Sequence, residues 1–351
     1  MKFLRFILLP FSWIYLLVTK IRNTLYDSGF FKSFELDISS IAIGNLTAGG
    51  TGKSPMVEYI ICLLKNDYNI ATLSRGYKRK TRGLRIADHH DNALTIGDEP
   101  AQFLKNHGNE IIVAVSEDRL YAIPHILIDH SDTDVILLDD AFQQRQIIPS
   151  SNILLSDYNR PFYNDYILPY GFLRESRVNA ERADLVIVTK CPSYIEEVEM
   201  AAIITRIRRY VPDPTPVYFT FIEYEEPLSI SGKKELMSEN VILVTGIADP
   251  VPLINRVSKK YNLVKHFKFP DHHYFSPKEI EDIVSYYKSL KSNKISILFT
   301  EKDVVRITNT PISDILIDIP VFFQPITYKF AKNGLEFDSY IKSIIQSLKK
   351  H

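Results

Sequence analysis

The sequence predicts a P-loop NTPase-like α/β fold, a doubly wound parallel sheet joined to a second, smaller α/β domain and preceded by an N-terminal membrane-associated helix. Three observations predict it. From Ser39 onward, short apolar runs alternate with helical patterns, and their near-continuous apolar character suits strands buried on both faces of a parallel sheet. The run Ala48-Gly49-Gly50-Thr51-Gly52-Lys53-Ser54 lies between the apolar stretch Ser40 to Ile43 and a helical pattern opened by Pro55. Ahead of both, Phe6 to Thr19 is almost wholly apolar, broken by Pro10 and Ser12 and bracketed by Lys2, Arg5, Lys20 and Arg22.

The opening segment is shorter than the about 20 apolar residues a spanning helix needs. It also lacks a small-residue cleavage site, since Tyr15, Leu16, Leu17 and Val18 run straight into Lys20. A helix lying at the membrane surface fits better, with Trp13, Tyr15 and the flanking cations at the headgroup level. A helix packed on the protein's own core is the alternative. Strands then follow at Ile41 to Ile43, Ile70 to Ser74, Ile111 to Val115, Val135 to Leu138, Ile153 to Ser156 and Leu185 to Thr189. Helical patterns intervene at Pro55 to Leu64, Pro100 to Asn106, Leu120 to Ile128 and Tyr194 to Tyr210. Pro212, Pro214 and Pro216 mark a break, so the expected domains are 1–32, 33–216 and 217–351. After a strand at Val217 to Ile222, the smaller unit carries strands at Val241 to Thr245, Val264 to Phe269, Ile295 to Thr300 and Val321 to Gln324. Its helices are expected at Pro252 to Lys259, Pro277 to Leu290 and Leu335 to Lys349.

Composition narrows the function classes. Of 351 residues, 42 are Lys or Arg and 42 are Asp or Glu, so no global field draws the chain to nucleic acid. Membrane affinity must therefore come from a local segment. Cys62 and Cys191 lie far apart and read as reduced thiols in a cytosolic setting, without a cysteine metal cluster.

The glycine-rich run carries the chemistry. Gly49, Gly50, Thr51 and Gly52 let backbone N–H groups turn around a di- or triphosphate, Lys53 reaches the β- and γ-phosphates, and the Ser54 hydroxyl suits Mg²⁺. Thr47 stands where the first glycine of G-x-x-x-x-G-K-[ST] belongs. Val135-Ile136-Leu137-Leu138-Asp139-Asp140 supplies the second carboxylate at a strand end that such a site needs to position the metal. ATP and Mg²⁺ are thus the expected ligands.

Several short motifs then fall in one order: Asn45-Leu46, Ser74-Arg75-Gly76-Tyr77, Gly97-Asp98-Glu99-Pro100, Asp118-Arg119, Leu138-Asp139-Asp140-Ala141-Phe142-Gln143, Leu173-Arg174-Glu175, Asp271-His272 and Thr300-Glu301-Lys302-Asp303. In that order they resemble the tetraacyldisaccharide 4′-kinase family, the lipid A 4′-kinases of Gram-negative bacteria. The resemblance covers nearly the whole chain. It implies transfer of the ATP γ-phosphate to the 4′-hydroxyl of an acylated glucosamine disaccharide 1-phosphate, giving lipid IVA at the cytoplasmic face of the inner membrane. It further implies that Asp98 and His272 form the acid–base pair and that Glu99 and Asp140 join Ser54 as magnesium partners. No protein partner is implied. Family members commonly read Asp-Asp-Gly-Phe-Gln-His-Arg where this chain has Ala141 and Gln144, so a role for that His does not carry over.

Some residues admit plainer readings. Asp98 alone reads as a helix N-cap before Pro100, and His272 as a turn histidine. Arg75, Arg119 and Arg174 suit a clamp on the substrate 1-phosphate or the nucleotide phosphates, because the guanidinium fork matches phosphate oxygens; each also suits a structural ion pair. Asp88-His89-His90-Asp91 reads as a solvated turn, since adjacent ligands do not readily converge on one ion. Lys302 and Asp303 read equally as a capped helix start. From another class, membrane-associated partitioning ATPases share a deviant glycine loop, yet Ala48 stands where their signature lysine belongs. A GTPase expects Asn-Lys-x-Asp, and Val188-Thr189-Lys190-Cys191 offers the lysine alone.

Overall fold

The computed structural model describes residues 6–232, 235–290 and 294–348. Lys2, Arg5 and Lys349, named above, lie outside them. By its contacts the chain divides into two units, one of Met1–Arg75, Glu110–Ile222 and Tyr328–His351, the other of Gly76–Asn109 and Glu223–Thr327. A single cut after residue 216 therefore does not describe the division: residues 76–109 join the second unit, and the last stretch returns to the first.

In the first unit, strands β1 (Ser39–Asn45), β2 (Ile70–Ser74), β3 (Ile112–Val115), β4 (Val135–Asp139), β5 (Ser151–Asp157), β6 (Leu185–Thr189), β7 (Val217–Tyr224) and β13 (Ile326–Phe330) lie in the order β13-β7-β6-β5-β1-β4-β2-β3. From β3 across to β7 each neighbouring pair is parallel. All residues of β1, β2, β4 and β6 are buried, which is why the middles of these strands read as near-continuous apolar runs. The chain starts in the middle at β1, runs out to β2 and β3, comes back to β4 and crosses to β5. That reversal opens a crevice at the carboxyl end of β1, the place where doubly wound sheets bind ligands.

Helix α1 (Leu9–Asp27) extends further than the apolar opening suggested. Its burial is inverted for a helix of a globular protein: the buried residues are Ser12 and Asn23, whereas Phe11, Ile14, Leu17, Val18 and Ile21 are each more than half exposed. The Ser12 hydroxyl donates to the Ile167 carbonyl (3.2 Å) and accepts from the Tyr170 amide (2.9 Å), and Asn23 Nδ2 donates to Glu175 Oε2 (2.9 Å). Hydrogen bonds, rather than apolar packing alone, hold this helix on the first unit. Among the described residues no helix is long and apolar enough to cross a membrane. Helix α2 (Lys53–Leu64) begins two residues before Pro55, with Gly52 as its cap, and Pro55 falls within the first turn, where no helical acceptor awaits its missing N–H.

The second unit holds β8 (Leu228–Ser229), β9 (Asn240–Thr245), β10 (Asn262–Lys268), β11 (Ile295–Thr300) and β12 (Val321–Gln324) in the order β8-β12-β11-β9-β10, parallel except for the short edge strand β8. Strand alternation sorts its core into two layers. Ile242 and Val244 of β9 face one cluster with Ile280 and Ile283 of α8 (Pro277–Ser289); Val241 and Leu243 face the other with Leu253 and Val257 of α7 (Val251–Lys260). A capping box between Ser276 and Glu279 starts α8 where the sequence pattern places it. Three further helices complete this unit, α3 (Ala93–Ile96), α4 (Asp98–His107) and α9 (Glu301–Ile307), and the last two carry Asp98, Glu99, Lys302, Asp303 and Arg306.

Candidate functional site

Two clusters of functional side chains form, one in each unit. In the first unit the loop between β1 and α2 turns through Gly49 (φ 106°) and Gly52 (φ 81°), backbone conformations that favour glycine. An added Cβ at Gly52 would also lie 1.7 Å from the Tyr328 hydroxyl. The loop is pinned from several sides. Asn45 Nδ2 donates to Thr51 Oγ1 (2.7 Å), Thr189 Oγ1 donates to the Thr51 carbonyl (2.8 Å), and Arg160 Nη2 donates to the Ala48 carbonyl (3.0 Å). Lys190 bonds to Asp157 (2.7 Å) and to the Gly50 carbonyl. Arg160 escaped the sequence reading, and Lys190 entered it only as the lysine of an incomplete GTPase motif. For Lys190 a signal existed, since it directly follows a strand end as Asp140 does.

Lys53 and Ser54 occupy the first turn of α2, where backbone N–H groups and the helix dipole favour an anion. Lys53 Nζ lies 3.5 Å from Asp140 Oδ1. Of the two adjacent acids, Asp139 stays in the sheet, 5% exposed, accepting from the Ser74 hydroxyl (3.2 Å). Asp140 leaves it with φ 46° and turns its carboxylate toward Lys53. Arg174 Nη1 donates to both Asp140 oxygens at 3.1 Å. Burial works to raise the Asp140 pKa, but Lys53, Arg174 and Arg119 outweigh it and hold the carboxyl below its usual value.

The three arginines separate. Arg75 is exposed at the end of its stretch of the first unit. Arg174 binds Asp140 and Gln143. Arg119 is 4% exposed, and its guanidinium donates to the carbonyls of Asp139 and Asp140. Burial lowers its pKa. Arg119 therefore braces the acidic turn from inside and does not reach outward as the expected substrate clamp. Glu175, 2% exposed, accepts from Asn23, Gln143, Asn179 and Arg182, which ties α1 to the same loop cluster.

In the second unit the expectation that Asp98 caps its helix is corrected. Gly97, at φ 93°, takes the cap position and Asp98 is the first helical residue. The carboxylate is thereby free of the backbone and is bound by side chains: His272 Nδ1 at 2.8 Å and Arg306 Nε at 2.8 Å on Oδ2, and the Tyr274 hydroxyl at 3.3 Å on Oδ1. Burial would raise its pKa, yet His272 and Arg306 hold it below the ordinary carboxylate value. His272 sits at φ 56°, a costly conformation for a non-glycine residue, with the Tyr77 ring edge-on at 5.7 Å. Glu99 pairs with Lys302 at 3.3 Å. Burial favours its neutral form, but Lys302 draws its pKa down.

Among the described residues no group of three or more His, Cys, Asp or Glu side chains is placed to hold a metal ion. Ser54 and Asp140 belong to the first unit and Glu99 to the second. In Asp88-His89-His90-Asp91 the first three residues are exposed, as the solvated-turn reading expects, and the fourth is buried. Asp91, 2% exposed, accepts from Arg85 Nε (2.6 Å) and the Asp88 amide (3.1 Å). Thr300 caps α9 by accepting from the Asp303 amide, as the capped-start reading expected.

Comparison with known proteins identifies the family. A family model described as Tetraacyldisaccharide-1-P 4′-kinase matches residues 4–346. A protein of Flavobacterium psychrophilum named tetraacyldisaccharide 4′-kinase is 42% identical over 351 residues, 99% of this chain and 98% of its own. One of the same name from Flavobacterium johnsoniae is 40% identical over 357 residues, 100% of this chain and 99% of its own. Among solved structures, LpxK from Aquifex aeolicus, crystallised in complex with ATP, matches with a TM-score of 0.76 and 28% identity over 97% of this chain and 99% of that one. The partitioning-ATPase and GTPase alternatives give way to these matches. The chain belongs to the tetraacyldisaccharide 4′-kinase family.

Proposed function

We propose that this protein transfers the γ-phosphoryl group of ATP to the 4′-hydroxyl of a tetraacylated glucosamine disaccharide 1-phosphate, forming lipid IVA. The observation that carries the proposal is the approach of Lys53 to Asp140 across the end of adjacent parallel strands, where a phosphate loop needs both a cation and a carboxylate. The donor set fits ATP. Loop amides and Lys53 neutralise the phosphate oxygens, and the α2 N-terminus adds its dipole. It also fits magnesium held chiefly by phosphate and water, with Ser54 and Asp140 as this unit's contribution. When bound, that ion spreads the charge of the transferring group.

A sugar hydroxyl needs a proton acceptor in reach. In this reading Asp98 takes the proton at Oδ1, since Oδ2 already carries His272 and Arg306. An Asp with a depressed pKa is a weak base, but it is ionised at neutral pH, and a loose phosphoryl-transfer transition state asks little proton abstraction of it. His272 orients the carboxylate. Arg174 and exposed Arg75 remain the arginines suited to the substrate phosphate. The reading is tested by ATP consumption with and without the acylated disaccharide 1-phosphate. Turnover that requires the lipid supports it, and equal turnover without the lipid overturns it.

The exposed stripe Ile7, Phe11, Ile14, Val18 and Ile21 recurs at helical spacing opposite buried Ser12 and Asn23. We assign this stripe to the membrane surface, at the cytoplasmic face of the inner membrane where ATP and the lipid meet. Each such side chain gains about 1.5–3 kcal/mol on leaving water. Replacing Phe11, Ile14 and Val18 together by Ser is expected to abolish flotation with anionic vesicles while leaving the melting temperature unchanged. Undiminished flotation contradicts the assignment.

A further inference from the structure

We propose that Arg306, seated by Asp303, is the positioning residue of the Asp98–His272 pair, fixing both partners through one buried guanidinium. The inference rests on the reading of Asp98 as the base. Arg306 is fully buried and spends its donors in two directions: Nε and Nη2 each lie 2.8 Å from Asp98 Oδ2, and Nη1 donates to Asp303 Oδ1 (2.7 Å) and to the Gly246 carbonyl (3.0 Å). The same Gly246 carbonyl accepts the His272 backbone N–H at 3.1 Å. One side chain thus reaches Asp98 directly and the His272 turn through a shared acceptor.

Asp303 has no exposed surface, and its Oδ2 accepts from the Gly246 amide (2.9 Å) and the Thr300 hydroxyl (2.6 Å). The arginine is consequently held at a fixed height above the end of β9. Gly246 admits this arrangement because it lacks a side chain: a Cβ there would lie 2.8 Å from Asp303 Oδ1 and 3.4 Å from Arg306 Nη1. A lysine at 306 cannot reproduce the clamp, since a single ammonium cannot span both carboxylates and the carbonyl in a plane.

The charged and titratable groups around Asp98 are Glu99 on its own helix, Lys302, Asp303 and Arg306 from α9, and His272 and Tyr274 from the turn after β10. Of these, His272 and Arg306 hold Asp98 ionised against the cost of burial. Loss of the fork frees the carboxylate to turn away from the reacting hydroxyl, which lowers kcat without changing the binding of ATP.

The experiment compares Arg306→Lys, Asp303→Asn and Asp98→Ala, and the Arg306→Lys/Asp98→Ala double variant, in kcat and in the KM for ATP. Arg306→Lys is expected to lower kcat about 10- to 100-fold with the KM for ATP within about twofold. Asp303→Asn should lower kcat by less, again with little change in KM. In the Asp98→Ala background the lysine substitution should cost less than about twofold, because residues acting as a unit are not additive. Wild-type kcat in folded Arg306→Lys overturns the inference, and so does a full multiplicative loss on top of Asp98→Ala. Should Arg306→Lys not fold, Asp303→Asn decides by the same two readouts. Wild-type turnover in Asp98→Ala would instead overturn the base assignment beneath it.

Discussion

Lys53→Ala is expected to lower kcat by on the order of 10²-fold or more while the protein melts at its normal temperature. The side chain fills no core: it is 16% exposed, stands in the first turn of α2 and faces Asp140. Its loss removes one preorganised cation from the developing phosphoryl charge, worth about 3 kcal/mol or more of transition-state stabilisation. The remaining ion pair of Asp140 with Arg174 keeps the acidic turn neutralised in the variant. Steady-state kinetics beside a thermal melt checks both halves. Wild-type turnover removes Lys53 from the reaction, whereas a lowered melting temperature gives it a structural role instead.

Removing the base or its partner should cost as much by a different route. Asp98→Ala and His272→Ala are each expected to reduce kcat by about 10²- to 10⁴-fold, the range for general acid–base groups, with little change in the KM for ATP. Their hydrogen bond of 2.8 Å makes them one unit, so the double variant should be hardly slower than the worse single one. Fully multiplicative losses would show two independent roles.

What the sequence showed of this arrangement was what short-range physics carries. The glycine loop, the strand ending in paired acids and the alternating apolar runs are local patterns, and each lies where expected. The plainer reading of Asp98 as a helix cap fails because the competing residue, Gly97, takes that position through a positive φ that no pattern records. Of the two readings of Arg119, the structural one could not be singled out because its partners are backbone carbonyls 20 and 21 residues away. Arg160 and Lys190 act on the phosphate loop from 112 and 140 residues beyond it, and neither spacing has a sequence signature. The assignment of residues 76–109 to the second unit was likewise hidden, since α4 meets α9 only through contacts about 200 residues apart, such as Gln102 Nε2 to Glu301 Oε2 (separation 199).

The most direct test of the account is where the phosphate goes. The intact protein, ATP, magnesium and the acylated disaccharide 1-phosphate in mixed micelles are incubated together, and the lipid product is analysed by phosphorus–proton correlation NMR. The account predicts one new phosphomonoester, coupled to the proton at the 4′ carbon, in step with ADP release. Phosphate released to water, or attached to the 1-phosphate or to another hydroxyl, would contradict it.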